Sequence, residues 1–180
     1  MNAVLAYFDA SDRRISWRLS AWAPPNWLRI WMKSATRLGD GWLWLGAVVL
    51  LVAAGGPYRH LLLGAAVSAA VSNTATVVLK RGLRRRRPYT YGGNPFFAVA
   101  PSELFAFDQF SFPSGHTMNA FALGSVLVPA LPALAVPVLL VAGSIGASRV
   151  ILGLHFLSDV LVGACFGVLI GGTAYALIVA

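Results

Sequence analysis

"GWLWLGAVVLLVAAGGPY" occupies residues 41–58 and contains no charged side chain. A helix that crosses a bilayer needs about 20 mostly apolar residues, within a range of about 17–25, and this run meets the requirement. Reading outward, a second run covers 61–79 and closes at Lys80. From Pro113 to Ser148 the chain is uncharged except for His116, and Pro129 and Pro132 divide that stretch into two short spans. A last run covers 160–180. Five spans are predicted, and the fold class is an all-α integral-membrane helical bundle.

Composition agrees. The 180 residues are 58% hydrophobic and 11% charged, where a soluble domain carries about 25% charged residues. A single membrane domain over 1–180 is expected. Fourteen Lys and Arg face six Asp and Glu, a balance that could serve nucleic acid, but the distribution points elsewhere. Arg13, Arg14, Arg18, Arg29, Lys33 and Arg37 precede the first run, and Lys80, Arg81 and Arg84 to Arg87 follow the second. Basic clusters at the ends of apolar runs attract anionic headgroups or phosphorylated ligands. The expected partners are the lipid bilayer and a phosphorylated lipid, with no nucleic acid.

The segment 1–40 is predicted to lie at the interface. In "PPNWLRIWMKSATRLGD", residues 24–40, Trp27, Ile30, Trp31 and Ser34 share one helical face while Arg29, Lys33 and Arg37 share another. Tryptophan beside basic residues suits an amphipathic helix in the membrane interface; the alternative is a surface helix packed on the bundle. Asp9 and Asp12, with no basic stretch ahead of an apolar core, do not read as a cleaved signal peptide. Residues 89–112 form the one long loop. It is rich in aromatic residues and is expected to be a lid or wall on the active-site side. The single cysteine, Cys165, is expected to serve as a small apolar packing residue, and His60 is assigned no role.

Five spans have a parity consequence. Lys80, Pro113, Arg149 and the stretch His155 to Asp159 all fall at the same membrane face. From Thr117 onward, Arg149, His155 and Asp159 are the only residues charged near neutrality. Each intramembrane charge costs about 2.5–3.5 kcal/mol even on permissive scales, so a satisfied ion pair or a function is needed to retain them. His155 and Asp159 stand at i and i+4, one face of a helix. A carboxylate on one imidazole nitrogen would fix the tautomer and leave the other nitrogen free as base or nucleophile. In "FPSGH", residues 112–116, Pro-Ser-Gly marks a helix start whose free N–H groups attract an anion. Ser114 adds a hydroxyl, Gly115 lets the backbone come close, and His116 is placed to protonate a leaving oxygen. In "KRGLRRRRP", residues 80–88, most of the charge can be a stop-transfer and lipid-binding signal, yet lysine and arginine are also the residues that grip phosphate oxygens.

Taken together, these elements resemble the type-2 phosphatidic acid phosphatase superfamily, the lipid phosphate phosphatases related to vanadium haloperoxidases. Lys80 followed after six residues by Arg87-Pro88, then Pro113-Ser114-Gly115-His116, then Ser148-Arg149 with His155 and Asp159 match its three signatures in order. The layout is similar to short bacterial members such as undecaprenyl-diphosphate phosphatases. The resemblance implies a multi-pass protein of a bacterial inner membrane that hydrolyses a polyprenyl diphosphate or a glycerolipid phosphate without metal or other cofactor. It implies His155 as the nucleophile forming a phosphohistidine, Asp159 as its orienting partner and His116 as the general acid. Lys80, Arg87, Ser114, Gly115 and Arg149 would hold the phosphoryl oxygens. Three other readings compete: a non-catalytic anionic-lipid-binding or transport protein, a vanadate haloperoxidase, and a metal site built from His116, His155 and Asp159. The haloperoxidases are soluble, which five spans argue against. The positive-inside count puts the basic clusters in the cytoplasm, whereas the similar diphosphate phosphatases work at the outer face.

Overall fold

The structure is a computed structural model that describes residues 10–16, 18, 19, 22, 24–53, 55, 56, 58–88 and 109–180. The predicted lid or wall falls mostly on 89–108, outside the described residues. The helices are α1 (Asn26–Leu38), α2 (Trp42–Ala53), α3 (Arg59–Leu83), α4 (Gly115–Ala130), α5 (Ala135–Ile151) and α6 (Leu157–Ala174). A 3-10 turn, Pro132–Leu134, leads into α5, a π turn, Tyr175–Val179, extends α6, and residues 10–16 are also helical.

Each predicted run carries a helix, but the lengths are unequal. Among the described residues, three stretches are long and apolar enough to cross a membrane: Arg59–Leu83, Pro132–Ile151 and Leu157–Val179. α2 has 12 residues and α4 has 16. α4 is the centre of the bundle, wrapped by α3, α5 and α6, with Met118, Ala120, Ala122 and Val126 fully buried. The outer faces are the reverse of a soluble protein's. Leu50, Val136, Leu140, Leu169 and Leu177 are between 65% and 80% exposed, a surface that only lipid tails can cover without cost.

Two boundaries depart from the sequence reading. α3 runs past Lys80 to Leu83 and stops where Arg84 takes a left-handed conformation, φ 49°. α4 runs through Pro129 and ends at Ala130, with Leu131 as its cap, so Pro132 alone makes the division. The residue before a proline is driven out of the helical region, and Leu131 accordingly sits at φ −133°, ψ 71°.

Lipid tails are as apolar as leucine, so helix association in a membrane rests on close packing. α4 and α6 achieve it through Gly163, Gly167 and Gly171, spaced four apart on α6. A Cβ at Gly163 would stand 2.8 Å from the Ser114 carbonyl, and one at Gly167 or Gly171 would run into the carbonyl of Met118 or Ala122. The contact sets the axial register at the polar end of the bundle, where the Ser114 N–H donates to the Asp159 carbonyl at 3.0 Å.

α1 packs on the bundle through Met32, which clusters with Leu152 and Leu154. Its other face leaves Trp27, Ile30 and Trp31 more than half exposed. The helix therefore combines bundle packing with a free tryptophan face. Cys165 corrects an expectation. It is exposed on the outer side of α6 near Leu161, Phe166 and Leu169, because the inward positions of that helix belong to the glycines.

Candidate active site

His155 gains its position from a tight turn. At the end of α5 the Arg149 carbonyl accepts from both the Leu154 and the His155 N–H, each at 3.0 Å, and Gly153 supplies the left-handed step at φ 68°. The five residues between Arg149 and His155 are the length of this closure. His155 itself precedes α6, which begins at Leu157 after the extended Phe156. The expectation that His155 and Asp159 share a helix is thus corrected. Asp159 is the third residue of α6, and its Oδ2 accepts from the Phe156 N–H at 2.8 Å, capping the helix start.

The imidazole finds a different partner. His155 Nδ1 lies 3.6 Å from Asp159 Oδ2, beyond hydrogen-bond range, but 2.6 Å from the Ser111 carbonyl. A carbonyl only accepts, so Nδ1 carries the proton and Nε2 keeps its lone pair. Arg87 Nη1 lies 3.4 Å from Nε2 and also donates to the Leu154 carbonyl at 3.2 Å. Ser111 is brought there by the polybasic segment: its N–H donates to the Arg85 carbonyl at 2.8 Å, its hydroxyl to the Arg86 carbonyl at 3.1 Å, and Phe110 bridges Arg86. Burial first, then the positive charges of Arg149, Arg87, Lys80 and His116, holds the His155 imidazole well below its ordinary value of 6.5.

Lys80, Arg87 and Arg149 are each at least nine-tenths buried. The Arg149 guanidinium donates through Nη1 to the Thr36 hydroxyl of α1, and its Nε is buried without a hydrogen-bond partner among the described residues. Ser148 turns its hydroxyl to the Ile145 carbonyl at 2.6 Å. Ser114 stands at the N-cap position of α4 and is fully buried, its Oγ turned to Thr117 Oγ1 at 2.9 Å rather than to the helix's free N–H groups. Gly115 is required by a helix neighbour as well as by any ligand, since a Cβ there would meet Thr76 Cγ2 of α3 at 2.9 Å.

His116 faces the open side. With Lys80, Gly115, Asp40, Trp44, Asn73 and Asn119 it lines a cavity of about 610 Å³. Asp40, in the turn between α1 and α2, accepts from His116 Nε2 at 2.7 Å. That hydrogen bond, against the opposing effect of burial, lowers the Asp40 carboxyl below its usual range. The eight sequence-predicted residues therefore converge at one end of the bundle in two layers. Lys80, Gly115 and His116 line the cavity, while Arg87, Ser114, Arg149, His155 and Asp159 are buried behind it. The proposed metal set does not form: among the described residues no three His, Cys, Asp or Glu cluster as ligands.

Several participants escaped the sequence reading. Arg85 Nη1 donates to Asp159 Oδ1 at 2.6 Å and to Ser158 Oγ at 2.8 Å, and its Nη2 reaches Asp12 Oδ2 at 2.8 Å. Its guanidinium also covers the Phe156 ring at 4.2 Å. Burial alone disfavours its charge, but Asp159 and Asp12 outweigh that and raise its pKa. Asp12 in turn accepts from the Ser158 N–H at 3.0 Å. Asp40 was the one participant with a legible signal, an acid directly before an apolar run.

The comparisons with known proteins agree with this geometry. Residues 61–180 match the family model of the PAP2 superfamily. The chain is 37% identical over 138 residues to the decaprenylphosphoryl-5-phosphoribose phosphatase of Mycobacterium tuberculosis, covering 73% of this chain and 68% of that protein. It is 35% identical over 157 residues to phosphatidylglycerophosphatase B of Bacillus subtilis, covering 80% and 72%. The crystal structure of a transmembrane PAP2-type phosphatidylglycerolphosphate phosphatase from Bacillus subtilis superposes with a TM-score of 0.71 at 30% identity, covering 98% of this chain and 86% of that one. The chain belongs to the PAP2 superfamily and is a membrane phosphatase of the class that acts on lipid phosphates.

Proposed function

We propose that this protein hydrolyses the terminal phosphate of a membrane lipid, a polyprenyl diphosphate or a glycerolipid phosphate, through a phosphohistidine and without a metal. His155 Nε2 attacks phosphorus, the bond to the leaving oxygen breaks, and His116 gives that oxygen its proton. His116 then takes a proton from water, the water attacks phosphorus, and the phosphorus–nitrogen bond breaks to release phosphate. Phosphoryl transfer depends on positioning and on stabilising charge at the equatorial oxygens. Lys80, Arg87 and Arg149 supply three positive charges for that purpose, with the α4 start at Ser114 and Gly115 beside them. Arg87, over Nε2, swings onto the phosphoryl oxygens as the substrate enters.

The observation that carries this reading is the state of His155. Its Nδ1 proton is committed to the Ser111 carbonyl, so its Nε2 lone pair is the nucleophile, and burial together with the cations around it keeps the ring unprotonated. Asp159 acts one step back, bonded to the Phe156 N–H and to Arg85, as a positioning residue for the turn. The buried Nε of Arg149, without a partner among the described residues, supports an anion site, since such a donor is costly unless a ligand satisfies it. The relatives named above are bacterial, which supports a multi-pass location in a bacterial inner membrane, with α1 resting its tryptophan face in the interface and the whole chain acting as one domain.

The test is phosphate release by purified protein in EDTA across a panel of lipid phosphates. Turnover should persist in EDTA, stop with vanadate, and fall by about 10³-fold or more in His155→Ala. Turnover undiminished in His155→Ala would remove the nucleophile, and a chelator-sensitive wild type would restore the metal reading.

A further inference from the structure

The cavity below His116 contains a polar feature that phosphoryl transfer does not use. Trp44, Ala69 and Leu123 give it apolar walls, as a hydrocarbon tail requires, yet Asn73 of α3 and Asn119 of α4 meet along it. Asn119 Nδ2 donates to Asn73 Oδ1 at 2.7 Å. Asn119 Oδ1 is buried without a hydrogen-bond partner among the described residues. Asn73 stands near the middle of the 25-residue α3, where an amide is expensive to keep. A helix that only had to span would place alanine or leucine there.

The depth of the pair is informative. At a rise of about 1.5 Å per residue, Asn73 lies about 10 Å inward from Lys80 along α3, and Asn119 about 4.5 Å inward from His116 along α4. A lipid whose terminal phosphate sits at Lys80 and His116 therefore presents to this pair the atoms that lie about 4.5–10 Å beyond it. In a prenyl diphosphate the inner phosphate is already passed at that depth, and the atoms there are hydrocarbon. In a phosphorylated glycerol or sugar lipid they are hydroxyls, ethers or ester carbonyls. Two carboxamides can accept as well as donate, and exchange the two roles by flipping.

We propose that Asn73 and Asn119 form a subsite for a neutral hydrogen-bonding spacer next to the scissile phosphate. The subsite selects lipids with a glycerol or sugar between phosphate and hydrocarbon over prenyl diphosphates. The proposal rests on the phosphatase reading of the same site and narrows its substrate class. A pocket built to hydrogen-bond a substrate discriminates strongly against an analogue that leaves its amides unpaired.

The experiment compares wild type, Asn119→Leu, Asn73→Leu and the hydroxyl-retaining Asn119→Thr on phosphatidylglycerophosphate, a phosphorylated sugar lipid and farnesyl diphosphate in mixed micelles. Thermal unfolding serves as the folding check. The wild type should prefer the two spacer lipids. In the leucine variants kcat/KM on them should fall about tenfold or more, with less than about threefold loss on farnesyl diphosphate, and Asn119→Thr should fall between. A loss confined to one spacer lipid identifies glycerol or sugar as the group read. Equal losses on all three substrates, or none on any, overturn the subsite. Phosphate release from no lipid by the wild type overturns the phosphatase reading, and the subsite with it.

Discussion

The two histidines occupy opposite kinds of environment within one site. His155 is 1% exposed, is held by a backbone carbonyl, and sits among buried cations. His116 lines the open cavity, and its partner Asp40 is a side chain nearly half exposed. The difference matches what each must do. A nucleophile needs a fixed lone pair and no proton, which a dry cationic pocket provides. A group that alternately gives and takes a proton needs access to leaving group and water, and a carboxylate that supports its charged form.

Both environments depend on the α4–α6 contact, so breaking it should erase the contrast. In Gly171→Val the new side chain meets the Ala122 carbonyl. Thermal unfolding should occur well below that of the wild type, with phosphatase activity lost alongside it. Activity retained at a normal unfolding temperature would mean that the register is set elsewhere.

Arg85→Met should damage the closed side selectively. Asp159 is fully buried, and removing a partner from a buried ion pair costs about 3–5 kcal/mol. Chemical denaturation should register a large part of that loss, and kcat should fall with little change in KM. Asp12→Asn, which leaves the Arg85–Asp159 bond in place, should cost less.

Asp40→Asn is the counterpart on the open side. The size is kept and the charge removed, so kcat should fall about tenfold, and the alkaline limb of the pH–rate profile should move to lower pH because the imidazolium loses its counter-charge. Asp40→Glu should restore part of the rate. An unchanged profile would reduce Asp40 to a structural contact.

The smallest signal is spectroscopic. In histidine-labelled protein without substrate, the resonance lost in His155→Ala should not titrate through the ordinary imidazole range around pH 6.5. The sign has a consequence for stability. The unfolded chain takes up this proton below about pH 6.5 while the folded state does not, so His155 makes the fold less stable as pH falls through that value.

The sequence was most legible where a residue's identity already implied its role. Arg149 and His155 were recognisable because an apolar chain keeps a charge or an imidazole only for a reason. Lys80 and Arg87 stood out from the basic run 80–87, and His116 from an ordinary helix start, through the match of their spacing to the family's signatures. The ends of the helices were less so. Lys80 looked like the end of its span, yet the helix continues to Leu83 because nothing in Arg81 to Leu83 forbids it. Asp159 looked like a partner of the imidazole, because spacing alone cannot distinguish a helical i,i+4 pair from a histidine just outside a helix that the aspartate caps.

From the sequence alone came the membrane class, the count of apolar runs and the set of charged residues converging on one face, since hydropathy and parity are properties of the linear chain. Only the tertiary structure decided that Ser111 rather than Asp159 holds the imidazole, that Arg85 and Asp12 brace the carboxylate, that Asp40 stands beside His116, and that two asparagines meet below it. Those contacts join residues up to 146 positions apart, and such pairing arises from helix register. That register is fixed here by three glycines pressed against a neighbouring backbone.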